Sequence, residues 1–287
     1  MFMNEPQLTD SQVARTELKY RHALDLLNDL DVMISAWNSL GQITMQPVQA
    51  GPRRIEYRMD ILSKPPIDQW SLTFADAIHN LRSALDTLAW ETANLDPHTP
   101  PLHPKNIYFP TAKNATDWAQ WEKRLTDIPN VYLERMALAR SILTPSGVPF
   151  AVVLNQLDIE DKHRGLLQPT AGLDIAAYNL QVGPPPGVPT ITGTLTPIST
   201  PKVIAIEQDG LVGGYTSDVD VCLMKNTSSR VQITASLELG ESYVRVSQFS
   251  ATIAAAVRIC IDLVRYGQTE AVVMTINAGS AEIIPGA

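Results

Sequence analysis

Cysteine is scarce in this chain: Cys222 and Cys260 are the two among 287 residues. Two thiols cannot build a disulfide framework, an all-cysteine zinc site or an iron–sulfur centre. Positive charge is also short, with 22 Lys and Arg against 30 Asp and Glu and a formal net charge of −8. Broad affinity for nucleic acid needs clustered cations, so a nucleic-acid partner is not expected. The stretch Met1 to Asp10 lacks the basic start and apolar centre of a signal peptide, and no apolar run reads as long enough for a membrane span. The expectation is a soluble, cytoplasmic globular protein with no membrane partner. Familiar chemical motifs are missing too: no GxxxxGK(S/T) phosphate loop, no strand–GxGxxG–helix fingerprint, no HExxH and no GxSxG elbow. His98 and His103, in the proline-rich run 97–104, have no third ligand nearby, so neither a metal nor a cofactor is expected.

What is present is a clear alternation of periods. Val13, Tyr20, Leu24, Leu27, Ile34 and Trp37 fall on one helical face between Leu8 and Leu40, with Thr9, Asp10 and Ser11 available as caps and Gly41 as a stop. Ile55, Tyr57, Met59 and Ile61 alternate with Glu56, Arg58 and Asp60, the period of a half-buried strand. Arg53, Arg54 and Arg58 form the one tight basic cluster and read as a solvated strand edge ahead of an anion-binding patch. Further helices are expected over 68–94, 117–125, 131–142 and 148–161. Beyond residue 165 Thr, Val, Ile, Gly and Pro accumulate, and 203–207, 218–224 and 231–239 read as antiparallel strands. From Tyr243 to Tyr266 a helical face returns through Val246, Phe249, Ile253, Val257, Cys260 and Val264, with Gly267 as its C′ residue.

These elements make an α+β fold, long helices packed with an antiparallel sheet contributed mainly by the C-terminal half. The strand at 55–61 needs a partner, which points to the later sheet and to a single interwoven domain over 1–287. Within it, 1–168 is mainly helical, 169–242 β-rich, 243–267 a returning helix and 268–287 a strand or tail.

The helix over 68–94 carries two patterns. Phe74, Ile78, Leu81, Leu85 and Leu88 are a core stripe, and Ala77, Ala84 and Ala89 allow another element to approach closely. Beside the stripe, Asp76, His79, Ser83 and Asp86 line up at spacings of three and four, flanked by Asn80 and Arg82. Such a row is expected to be partly buried and therefore to need partners. The run Asn155–Arg164 offers them, with Asp161, Lys162, His163 and Arg164 at its end. A carboxylate beside His79 or His163 would fix one tautomer, the raw material of acid–base chemistry.

The segment HNLRSALD (His79 to Asp86), followed by Trp90 and later by DKHR (Asp161 to Arg164), resembles a family of bacterial and phage proteins that pair these motifs and have no assigned activity. More distantly, an Arg–x4–His helix resembles the motif of HEPN-type ribonucleases, helical proteins that cleave RNA without metal. Arg82 stands at the arginine position, and Thr87 stands where that histidine would fall.

The residues support three uses. The first is architectural, a hydrogen-bonded network of Asp76, His79, Arg82, Asp86 and the DKHR run tying helices to the sheet. The second is a non-catalytic binding or interaction protein, taking a protein partner or a small anionic ligand through Asp76, His79, Asn80, Arg82, Asp86, Asp161, Lys162, His163 and Arg164. The third is a HEPN-like metal-independent ribonuclease or another acid–base hydrolase, with His79, Arg82 and His163 as catalytic candidates. Paired long helices with apolar faces also lead to the expectation of a homodimer.

Overall fold

A capping box opens the first helix. The Thr9 backbone N–H donates to the Gln12 Oε1 at 2.9 Å while the Gln12 N–H reaches back to the Thr9 hydroxyl. Helix α1 then runs Asp10–Ser39. The computed structural model describes residues 7–96, 98–144, 147–161, 170–171, 181–189, 193–198, 204–205, 208–225, 229–230, 233, 235–239, 242–267 and 284–285. After α1 come strands β1 (Ile43–Gly51) and β2 (Arg54–Ile61), then helices α2 (Ile67–Ala93), α3 (Ala115–Glu122), α4 (Asn130–Ala139) and α5 (Phe150–Asp161). The later part supplies β3 (Thr170–Ala171), β4 (Gln181–Gly183), β5 (Leu195–Pro197), β6 (Ile204–Ala205), β7 (Leu211–Ser217) and β8 (Cys222–Lys225). It closes with β9 (Ser229–Arg230), β10 (Ser236–Leu239), β11 (Ser242–Arg245), α6 (Val246–Tyr266) and β12 (Ile284–Pro285). Of the strand or tail expected over 268–287, all but 284–285 lies outside the described residues. The fold is α+β, and every described strand pairing is antiparallel.

The chain folds into two compact units, each made of separated segments. The first comprises Met1–Leu30, Ser71–Leu166 and Ser247–Glu282; the second comprises Asp31–Trp70, Leu167–Val246 and Ile283–Ala287. The first unit is helical. Its core holds the full α2 stripe, Phe74, Ile78, Leu81, Leu85 and Leu88, together with Ala77, Ala84 and Ala89, all without solvent exposure. Phe74 meets Phe249 of α6 edge-on, ring centroids 6.4 Å apart, and the Tyr20 hydroxyl of α1 donates to the Ala254 carbonyl of α6. Of the predicted α1 face within this unit, Val13, Tyr20 and Leu27 are buried, whereas Leu24 remains 36% exposed. Arg135 of α4 is buried and donates to the Val264 carbonyl at 3.0 Å, satisfying the α6 C-terminus just before Gly267 turns out of the helix at φ 72°.

Helix α6 corrects one expectation. An 18-residue window of this 21-residue helix reaches a mean hydropathy of 1.4, enough by length and composition to cross a bilayer, although 61% of that window is buried within the protein. It also carries an ion-pair cluster, in which Arg258 bonds both Asp262 and Glu17 of α1.

The second unit is built on a five-stranded sheet of order β5-β7-β2-β1-β9. The strand expected at 55–61 does join the later strands, pairing with β7 on one side, with Ile55 opposite Tyr215. Its other neighbour is β1, whose Pro47 lies opposite Tyr57. β2 is thus interior to the sheet, so Arg54 and Arg58 are not on an edge strand. They flank the buried Glu56 instead: Arg54 donates to Oε1 at 2.7 Å and Arg58 to Oε2 at 2.6 Å. A Cβ on Gly214 would come within 2.3 Å of the Ile55 carbonyl, so glycine is what lets β7 lie against β2.

Candidate functional site

The polar row of α2 divides by exposure. Asp76 and His79 are exposed, Ser83 and Asp86 are half-buried, and Arg82 is buried at 6%. The division follows from the helical period. Arg82 lies next to the core positions Ile78, Leu81 and Leu85, while His79 and Asp76 lie farther round the helix from that stripe.

Arg82 and Asp86 act together on one peptide segment. They pair across a helical turn at 2.8 Å. Arg82 Nη2 donates to the Phe109 carbonyl at 3.1 Å, and Asp86 Oδ1 accepts from the Phe109 N–H at 2.9 Å. Both backbone groups of Phe109, itself 1% exposed, are thereby satisfied by one ion pair. Arg82 Nη1 is buried with no hydrogen-bond partner among the described residues. Burial pushes the Arg82 guanidinium below its ordinary range against the opposing attraction of Asp86 and Asp158. Burial likewise raises the Asp86 carboxyl, opposed first by Arg82 and then by the Phe109 N–H.

His79 reaches α5. Its Nδ1 lies 2.8 Å from Oδ1 of Asp158, a side chain only 12% exposed, while His79 itself is 59% exposed. The sequence pattern does not single out Asp158. The available signal is its place in the polar run Asn155–Arg164, one helical turn before Asp161. Asp161 ends α5, and Lys162, His163 and Arg164 lie outside the described residues. Asn80 donates to the Asp76 carbonyl at 2.8 Å, and Thr87 donates to the Ser83 carbonyl at 2.8 Å, both bonds within α2.

From α1, Lys19 Nζ donates to the Ser83 hydroxyl at 2.5 Å. Next to that contact is an open groove of about 570 Å³ lined by Leu18, Lys19, Arg21, His22, Asp25 and Asn80. Among the described residues no group of three His, Cys, Asp or Glu side chains is placed to hold a metal ion. Chemically, the arrangement offers a histidine oriented by a carboxylate, a buried ion pair clamping a backbone segment, and a groove rimmed by cations. No family model, curated protein or solved structure matches the chain.

Proposed function

We propose that this chain is a non-catalytic binding protein, with the helical face around α2 as its recognition surface. The observation that carries this reading is the double engagement of Phe109. The arginine and carboxylate of the HNLRSALD segment both bond backbone, which is a positioning task rather than contact with a reacting group. Around that clamp the exposed side chains of Asp76 and His79 and the groove at Asn80 present polar groups on rigid helices. The test is a triple variant, Asp76→Ala, His79→Ala and Asn80→Ala. Its melting temperature is expected to stay within a few degrees of wild type while a partner or ligand recovered with the wild-type chain is no longer retained. Retention by the triple variant would move recognition off this face.

A second reading rests on the His79–Asp158 contact, since a histidine held by a carboxylate at one nitrogen and exposed to solvent has the geometry of a general base. It makes the chain an acid–base hydrolase, metal-independent RNA cleavage included. That activity would persist with chelator and vanish in both His79→Ala and Asp158→Asn; cleavage unaffected by either substitution would remove this pair from the reaction.

A further inference from the structure

We infer that the α1–α2 groove is a binding site for a small phosphomonoester with a hydroxylated carbon frame. The inference deepens the binding reading above and rests on it. Its starting point is the contrast between several paired arginines and the two cations that line this groove. Arg53 pairs with Asp220, Arg54 and Arg58 with Glu56, Arg82 with Asp86, Arg258 with Glu17 and Asp262, and Arg265 with Asp10. The two cations at the groove are engaged differently, and Lys19 also lies near enough to Asp86 to pull its carboxyl down. Lys19 donates to the neutral hydroxyl of Ser83, and Arg21 donates through Nε to the backbone carbonyl of Glu17 at 3.3 Å, so neither bonds a carboxylate among the described residues. The Arg21 bond uses one edge of the guanidinium and leaves its two terminal nitrogens for a planar or tetrahedral oxyanion.

Position strengthens the case. Lys19 and Arg21 line the same groove as His22, which places two cations and an imidazole around one opening in a molecule of net charge −8. A local positive site in an otherwise acidic protein attracts anions to that place selectively. The volume, about 570 Å³, lies within the range of small-molecule sites. The remaining lining residues narrow the ligand. Asp25 would repel a second anionic group but accepts from hydroxyls, Asn80 donates or accepts, and Leu18, 64% exposed, offers an apolar contact to carbon. A phosphoryl group at the cationic side and hydroxyls toward Asp25 and Asn80 satisfy all of them.

The experiment is calorimetric titration of the full chain with ribose 5-phosphate, inorganic phosphate and ribose, followed by 31P NMR of the mixture. Ribose 5-phosphate is expected to bind saturably, inorganic phosphate more weakly and ribose not at all. Arg21→Glu and Lys19→Gln should each weaken binding by about tenfold or more, and raised salt should weaken it further. Arg21 is exposed, so its variant reports on the groove without disturbing a core. Saturable binding with the phosphate signal unchanged over hours supports both the site and the non-catalytic reading. Binding followed by release of inorganic phosphate supports the site and overturns the non-catalytic reading. Absence of saturable binding to either phosphate probe, or binding indifferent to Arg21→Glu, overturns the site and leaves the α2-face variant above as the separate test of the binding reading.

Discussion

Two arginine–carboxylate clusters in this protein use the same functional groups to opposite electrostatic effect. On α2, one buried arginine faces one half-buried carboxylate across a helical turn, and burial is the largest influence on both, moving each toward its neutral form. On β2, two half-exposed arginines close on one buried carboxylate from either side along the strand, and the bonds from Arg58 and Arg54 hold the Glu56 carboxyl below its ordinary value. A carboxylate with two cations whose outer faces stay in water keeps its charge easily, whereas a one-to-one pair taken out of water needs backbone partners as well. Phe109 supplies those partners to the helical pair.

The largest effect should come from breaking the helical pair. Arg82→Ala leaves Asp86 without its cation and the Phe109 carbonyl without its donor, and should cost about 3–5 kcal/mol in urea unfolding. A cost under about 1 kcal/mol would mean the clamp is dispensable. Glu56→Ala, which leaves two cations that water can still reach, should cost less, about 1–3 kcal/mol by the same measurement. A reversed order would undo the comparison.

Acid titration separates the two clusters by sign. Glu56 binds its proton more readily unfolded than folded, so its contribution is present above its ordinary value of 4.5 and is lost as the pH falls through its lower folded value. Asp86 is raised above its ordinary 3.8, so the folded state gains as the pH falls through that raised value, and the gain levels off below 3.8. Between about pH 7 and pH 3, Glu56→Gln should therefore lose less melting temperature than wild type and Asp86→Asn more. Equal slopes in all three proteins would count against both assignments.

A backbone probe beside the β2 cluster is Asp209, which holds φ at 60° in the turn before β7 and whose carbonyl accepts from Arg58 Nη1 at 3.1 Å. Asp209→Val should cost about 1–2 kcal/mol, since a branched side chain is strained in that region, whereas Asp209→Gly should be close to neutral. The smallest effect belongs to His79. With its side chain 59% exposed, His79→Ala should cost no more than about 1 kcal/mol, which also makes it a clean probe of function.

Long periodic elements are legible in the sequence almost to the residue. The helix expected over 68–94 is Ile67–Ala93, and its apolar stripe is the buried core. Shorter elements are missed where one residue carries two meanings. Pro47 masks β1, although Ile43, Met45 and Pro47 are buried in alternation with half-buried Thr44 and Gln46. Gly213 and Gly214 weaken the strand pattern of β7, yet Gly214 is needed for the close approach of β7 to β2. Tyr243 reads as the start of a helix that begins only at Val246, because the residues before it pair as β11 with β10. For the site, the periodicity places Asp76, His79, Arg82 and Asp86 on adjoining faces of α2. It cannot show that Phe109 is the backbone partner or that Asp158 meets His79, because both contacts depend on how distant segments come together.

The division of each unit into separated segments has a consequence for synthesis. No single cut in the chain releases either unit whole, so an N-terminal fragment cannot mature by itself on the ribosome. The apolar stripe of α2 is complete at Ala93, but its aromatic neighbour Phe249 sits in a helix that ends at Tyr266. At about 5–20 residues per second, roughly 10 to 35 s of elongation separate the two helix ends. During that interval the stripe needs another cover, which makes the nascent chain a candidate for holdase chaperones and its expression sensitive to translation rate.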